Sequence, residues 1–230
     1  VTQAQAVSHM PEEAPIGTGC ALATQCVTAY HAAILSQTLL PGEKVLIHAA
    51  AGGLGTALVQ IALWKGCTVI GVAGGSEKVE YLKNLGVHHV VDHHRINWTD
   101  YVHQYLNGRV DVIFDNIGGS SIKKGKSVLA HGGRIVTLGA AALSGKKGKL
   151  NLIRLGLGFG FFSPIAYLSK SQSLIGVNML KIADYRPDML AESFKGVTTL
   201  HSKGILNPHI GAIFNGTELD KAHAFLEGRK

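Results

Sequence analysis

The chain has 230 residues, 46% of them hydrophobic and 16% charged, and carries a formal net charge of +7. That is apolar material for one large domain or two small ones, and the 29 glycines follow no period, which excludes collagen and low-complexity sequence. The basic surplus falls in short clusters, Lys123-Lys124-x-Lys126 and Lys146-Lys147-x-Lys149, which read as solvated loops; with no basic helix face or nucleic-acid module, a nucleic-acid partner is not expected.

The N-terminus, Val-Thr-Gln-Ala-Gln, lacks the basic and apolar regions of a secretory signal, and it lacks a Met, so the chain reads as a piece of something longer. Residues 1–37 form a flanking segment with alanine-rich helical character from Ala21 to Ala33. A beat of strand and helix then fills a core of about residues 38–182. Val45–His48 reads as strand and Gly55–Lys65 as helix. Thr68–Ala73 is a second strand, apolar throughout as expected where both faces of a parallel sheet are covered. Ser76 is placed to cap a helix from Glu77 to Leu85 that closes at Gly86. His89–Val91 (strand), Thr99–Leu106 (helix), Val110–Phe114 (strand), Ile122–Ala130 (helix) and Arg134–Leu138 (strand) follow. The apolar stretch Leu155–Leu168 is 14 residues long, contains Pro164, and is too short to span a bilayer. It reads as ordinary core, or as a wall of a pocket or dimer surface. Ser173–Val177 is a further strand and Met189–Ser202 a helix. The second flank, residues 205–230, reads as a strand, Pro208–Phe214, and a helix, Leu219–Gly228.

Strands alternating with helices imply an α/β fold with a doubly wound parallel sheet, whose ligand sits on the edge where the strands end. The first strand runs into Ala50-x-Gly52-x-x-Gly55 and then a helix. That layout places a dinucleotide pyrophosphate on free N–H groups at a helix N-terminus, although Ala50 stands at the usual first glycine and a bare tight turn fits the same pattern. NAD-preferring folds place a carboxylate at the end of the second strand. Here that strand ends Gly71-Val-Ala-Gly74-Gly75-Ser76-Glu-Lys78, a small neutral tip where Ser76 and Lys78 could bind a 2′-phosphate, so NADP(H) is the expected cofactor. Ser76 as a plain helix cap and Lys78 as a solvated side chain fit equally, and the roles can coexist. The twelve histidines, His88-His89 and His93-His94 among them, show no metal-ligand spacing, and no metal is expected. Cys20, Cys26 and Cys67 form no Cys-x-x-Cys and read as reduced thiols of a cytoplasmic protein.

An ordered set of motifs extends this reading over nearly the whole chain. They are Thr28-Ala29-Tyr30, Pro41-Gly42-Glu43, His48-Ala-Ala-Ala-Gly-Gly-Leu-Gly55, Ala73-Gly-Gly-Ser-Glu-Lys78, Leu85-Gly86 and Val91-Asp-His93, then Asp115-Asn-Ile-Gly-Gly119, Gly132-Gly-Arg-Ile-Val-Thr-Leu-Gly139 and Leu174-Ile-Gly-Val-Asn178. The set resembles the medium-chain dehydrogenase/reductase superfamily, and within it the zinc-free quinone oxidoreductases, zeta-crystallin-like and VAT-1-like proteins.

The resemblance implies a Rossmann cofactor domain for NADP(H). Gly52, Gly53, Leu54 and Gly55 would hold the pyrophosphate, and Gly74, Gly75, Ser76 and Lys78 would surround the 2′-phosphoadenosine, with His93 packed near it. Asn116 and Gly139 would lie along the cofactor, Gly176, Val177 and Asn178 near the nicotinamide, and Thr28 by its carboxamide. Thr24 stands where zinc-dependent relatives carry a cysteine ligand. The family's N-terminal GroES-like substrate domain is missing, so the chain is expected to be the cofactor domain of a longer reductase, and no catalytic residue is assigned. The implied activity is metal-free hydride transfer from NADPH to quinones or α,β-unsaturated carbonyls. An enoyl-reductase module of a polyketide or fatty-acid synthase, and a non-catalytic VAT-1-like or crystallin-like binding protein, are the alternatives. A homodimer paired through the Ser173–Val177 edge strand is also implied.

Overall fold

The computed structural model describes residues 14–139, 158–159 and 162–228. A helical run over residues 18–35 (α1) opens the fold; α-helical turns at Thr18–Ala21 and Val27–Tyr30 alternate with wider π turns at Leu22–Cys26 and His31–Leu35. Then come β1 (Lys44–His48), α2 (Gly53–Trp64), β2 (Thr68–Ala73), α3 (Ser76–Asn84), β3 (His89–Asp92), α4 (Trp98–Tyr105), β4 (Val110–Asp115), α5 (Ser120–Val128) and β5 (Leu129–Thr137). After these lie α6 (Pro164–Leu168), β6 (Ser173–Gly176), α7 (Met179–Tyr185), α8 (Pro187–Ser202) and α9 (Leu219–Glu227).

The six strands form one parallel sheet in the order β3-β2-β1-β4-β5-β6. Because β1 pairs with both β2 and β4, the winding reverses beside it, and the strands end on a common edge at that switch point. The central strands carry continuous apolar runs, residues 45–47, 69–73 and 112–114, because both faces are covered. Val45, Ile47, Val69, Val112 and Phe114 point into a core built with α1, α2, α3 and α8. Leu46, Ile70, Val72 and Ile113 point into a second core with α4 and α5. Period-two alternation thus distributes one continuous run between two cores.

Several expectations change. Gly75, at φ +91°, is the residue before α3, and Ser76 is the first helical residue with no side-chain cap bond; the turn needs a positive φ that only glycine adopts readily. The helix expected at Ile122–Ala130 starts two residues earlier and gives way to β5 at Leu129, because Ala130 lies in that strand. Lys123 and Lys124 sit on α5 rather than in a loop. Residues 208–214 form no strand; Ile210 packs on Gly17, and Phe214 meets Phe225 of α9 with ring centroids 5.7 Å apart. In the apolar stretch, Ile165 and Leu168 of α6 are exposed rather than core, while Phe159 packs on the second core. The cluster Lys146-Lys147-x-Lys149 and the rest of that stretch up to residue 161 lie outside the described residues, apart from Gly158 and Phe159. Among the described residues no helix is long and apolar enough to cross a membrane.

At the opposite edge of the sheet, Arg134 of β5 clamps the entry to β1. Its guanidinium donates to both oxygens of Glu43, at 2.7 and 2.8 Å, to Gln37 Oε1, and to the Thr38 carbonyl. Burial alone would raise the Glu43 pKa, but hydrogen bonds from Arg134 and the Leu40 N–H outweigh it and hold the carboxyl below its ordinary value. A carboxylate with a depressed folded pKa contributes stability that is present above its unfolded value and lost as pH falls through the folded one. Glu43→Gln should therefore destabilise by about 1–3 kcal/mol at pH 7. In urea unfolding that cost should begin to shrink as pH falls through about 4.5 and disappear only below the lowered folded pKa.

Candidate functional site

The turn after β1 is built by backbone contact. Ala49 adopts φ +48°, the Gly52 N–H donates to the Ala49 carbonyl at 3.0 Å, and the Thr56 N–H donates back to Gly52 at 2.7 Å, starting α2. Gly55 lies so close to this turn that a Cβ would stand 2.7 Å from the Ala50 Cα. At Gly53, a Cβ would overlap the carboxamide of Gln25, which reaches over from α1. Ala50, at the usual first glycine, is fully buried, and Gly71 of β2 faces it: a Cβ there would lie 3.2 Å from the Ala50 methyl. The result is a helix N-terminus with Gly52, Gly53 and half-buried Leu54 open beside it. Its first N–H groups and dipole favour an anion.

The second part of the site is the tip between β2 and β3. Pairing of Ala73 with Asp92 brings the Gly74-Gly75 turn against His93-His94. A Cβ on Gly74 would sit 2.7 Å from the Nε2 atoms of both histidines, whose rings meet edge-on at 4.5 Å. Asp92 supplies the carboxylate absent from the end of β2 itself. Its Oδ1 accepts from the Gly75 and His94 N–H groups at 3.3 and 3.0 Å, and its Oδ2 pairs with Arg95 Nε at 3.5 Å. The His94 N–H is the main cause that holds this carboxyl below its ordinary pKa. Ser76 and Lys78 occupy the first turn of α3 beside the tip, Ser76 exposed and Lys78 half-buried.

Between this tip and the start of α5 lies a cavity of about 500 Å³. Val72, Ile96, Trp98 and Ile117 give it apolar walls, while Arg95 and Lys124 give it a cationic side with His93 and His94 between them. His48 and Ser121 close its inner end. His48 is buried, lies 3.3 Å from Ser121 Oγ and 3.8 Å from Asp115 Oδ2, and meets Trp98 edge-on at 4.8 Å. Both polar contacts converge on Nε2, so this is not a serine relay, which needs the carboxylate on the other ring nitrogen. Burial drives the His48 pKa down to about 4, opposed by Asp115 and assisted by His93. Asp115 Oδ1 instead fixes the loop after β4, accepting from the Ile117 and Gly118 N–H groups at 2.9 and 2.7 Å.

The loop so fixed carries Asn116, whose Oδ1 is buried without a hydrogen-bond partner, with Gly139 alongside its carbonyl. Val177 continues the ladder, donating its N–H to the Thr137 carbonyl at 3.0 Å, and exposed Gly176 closes β6. The Asn178 side chain caps α7 through the Lys181 N–H. Thr28 is half-buried on α1, its hydroxyl donating to the Thr24 carbonyl at 2.7 Å. The strand ends therefore bring the glycine turn, the β2 tip, His93, Asn116, Gly139 and residues 176–178 onto one edge. The residue pattern assigned no site role to Gln25, Arg95 or Trp98, placed His48 only at the head of the glycine motif, and left Lys124 in a basic cluster read as solvent-exposed. The His93-His94 pair was visible, but only the β2–β3 register shows that these rings close over Gly74. Among the described residues no three His, Cys, Asp or Glu side chains are placed to hold a metal. Cys26 and Cys67 are buried, and burial pushes both thiols up to about 11.

Two outcomes follow from this geometry. Gly55→Ala should destabilise the chain by about 2 kcal/mol or more in urea unfolding, against less than about 1 kcal/mol for Gly52→Ala, whose Cβ meets only the Ala49 carbonyl at 3.3 Å. A histidine with a lowered folded pKa makes the unfolded state the stronger proton binder, so stability should fall as pH drops from about 6.5 toward 4. His48→Gln should flatten that part of the stability profile.

A family model for zinc-binding dehydrogenases matches residues 53–194. Human quinone oxidoreductase is 28% identical over 218 residues, which are 94% of this chain and 60% of that protein. A phenolphthiocerol/phthiocerol polyketide synthase of Mycobacterium tuberculosis is 40% identical over 114 residues, 49% of this chain and 5% of that one. The solved CurK enoyl reductase superposes with a TM-score of 0.81 at 24% identity, covering 100% of this chain and 64% of that structure. The zinc of the family's description finds no set of three His, Cys, Asp or Glu ligands among the described residues. The matched stretch covers more than half of the chain and runs from the start of α2 through the β2–β3 tip and the strands β2 to β6, and on that ground the chain belongs to the zinc-binding dehydrogenase family, as a quinone-oxidoreductase-like cofactor domain of the medium-chain dehydrogenase/reductase superfamily.

Proposed function

We propose that this chain is the cofactor-binding part of an NADPH-dependent reductase of quinones or α,β-unsaturated carbonyls. One observation carries the reading: a cavity of about 500 Å³, with Arg95 and Lys124 on its rim, opens at the strand-end edge between the β3–α4 loop and α5. Three features beside the cavity, on the same sheet edge, fit a dinucleotide. Gly52 leaves the start of α2 open to phosphate oxygens beside the Gln25 carboxamide, Gly74 is kept free of a side chain by two histidines, and the buried Asn116 Oδ1 lacks a protein partner.

In this reading residues 52–55 hold the pyrophosphate and the adenosine lies in the cavity against Ile117 and Trp98. Ser76 and Lys78 approach the 2′-phosphate from α3, and His93, His94 and Arg95 approach it from the β3–α4 loop. Asp92 alone would repel that phosphate; its two N–H donors and Arg95 offset the charge. Asn116, Gly139, Gly176, Val177, Asn178 and Thr28 line the nicotinamide half. When bound, the cofactor supplies a hydride for the β-carbon of the acceptor. The chain's own part is to fix the ring's position with backbone groups at the ends of β5 and β6 and to keep the adenosine half out of water. The groups facing the substrate lie in the portion of the relatives that this chain does not span, so the chain by itself is expected to bind NADPH and to turn over quinones negligibly. The same reading pairs two copies through β6, whose Leu174 is exposed, as are Ile165 and Leu168 of α6. Sedimentation as a monomer at high concentration would remove that pairing.

The 40% identity to part of a polyketide synthase favours a second reading, an enoyl-reductase module acting on a carrier-bound enoyl chain. Both share the cofactor test. Titration with NADPH and NADH, followed by fluorescence of Trp64 and Trp98 or by calorimetry, should show tighter NADPH binding. Arg95→Ala and Lys78→Ala should each lower that preference by about tenfold. Binding of neither nucleotide would put a non-catalytic relative first.

A further inference from the structure

We propose that Gln25 is a cofactor-contacting residue that clamps the pyrophosphate against the glycine turn. The inference rests on the dinucleotide reading above and adds a residue outside the glycine motif. Gln25 sits in the π turn Leu22–Cys26, which packs one more residue into the turn than an α-helix does. Leu22 and Cys26 bracket it and are buried in the core against α2, so the turn is anchored on its inner side. The widened turn projects the exposed Gln25 between them onto α2, with its carboxamide in the space a Gly53 side chain would fill.

That space adjoins the first residue of α2, where N–H groups without helical partners gather partial positive charge. A carboxamide is suited to such a place. It is neutral, so it does not compete with the phosphates for the dipole, and its Nε2 offers two donors to their oxygens. The glycine turn covers the diphosphate from one side and Gln25 covers it from the other. Gly53 is a glycine because the clamp occupies the room its Cβ would need. Thr28, three residues further along α1, lies on the same segment, so seating Gln25 also seats the residue expected at the nicotinamide carboxamide.

The test compares wild type, Gln25→Ala and Gln25→Glu, each binding NADPH, NADH and adenosine 2′-monophosphate, by calorimetry and Trp98 fluorescence, with melting curves as a control for folding. The first two ligands carry the diphosphate; the third keeps the 2′-phosphate and lacks it. Gln25→Glu places a carboxylate beside the diphosphate and should weaken NADPH and NADH alike by about 10–100-fold, against about 3–10-fold for Gln25→Ala. Adenosine 2′-monophosphate should bind all three proteins within about twofold. Unchanged NADPH binding by Gln25→Glu would overturn the clamp while leaving the cofactor reading intact. Equal weakening of all three ligands, or loss in proportion to a lowered melting temperature, would show a purely structural glutamine and overturn it too. Failure of the wild-type chain to bind either dinucleotide would remove the cofactor reading and the clamp together.

Discussion

The site depends on one backbone-to-backbone approach. At the end of β1 the chain must reverse, leave the sheet and begin α2, and Gly55 must lie against Ala49 and Ala50 while it does so. No side chain larger than a hydrogen fits at that contact. Ala49 adopts a left-handed conformation for the same reason, a cost of order 1–2 kcal/mol that the buried surroundings of Ala50 and Thr56 hold in place. Because α2 is seated this closely, its N-terminus opens at the strand edge rather than over the sheet face. The anion-binding character of the turn is therefore a consequence of packing, before any ligand is considered.

Charge at the neighbouring tip is organised differently. The end of β2 is neutral, yet a carboxylate stands one strand over, on Asp92, and most of its hydrogen-bonding capacity is taken up by backbone N–H groups of its own loop and the facing turn. It holds the Gly74-Gly75 turn and the His93-His94 pair in register, and Arg95 screens what charge is left. The buried trio of His48, Ser121 and Asp115 has a similar role one strand further in. Asp115 commits one oxygen to the β4–α5 loop, and His48 ties β1 to α5 under the ring of Trp98. Polar groups around the cavity are thus committed to fixing loops, while the apolar walls and the lysine, arginine and histidine side chains face the open space.

Most of the architecture was legible because the signals were local. The strand Thr68–Ala73 reads at its observed limits because a continuous apolar run has nowhere to go but the middle of a two-faced sheet. The glycine turn and the helix after it were legible for the same kind of reason. What the sequence hid depends on distance in space. Gln25 meets Gly53 only because a π turn changes the phase of α1, and no residue pattern announces that turn. Arg95 reaches the β2 tip only through the β2–β3 register. Ser76 looked like a helix cap because serine caps many helices, yet the glycine before it already supplies the turn's geometry. Residues 208–214 carry an apolar pattern suited to a strand, but no sheet edge takes them up, and Ile210 and Phe214 pack on Gly17 and α9 instead.

The contact between Ala50 and Gly71 bears on how such turns are recognised at all. Ala50 adds a methyl where the common pattern has hydrogen, and Gly71 on the adjacent strand gives up its own Cβ to make room for that methyl between Leu82 and Val87. The volume has been exchanged across the sheet, not lost. A pattern search confined to the loop counts one glycine too few and scores the turn as degenerate. A search that counted small residues over β1 and β2 together would find the full complement, because the unit that keeps its volume there is a pair of neighbouring strands.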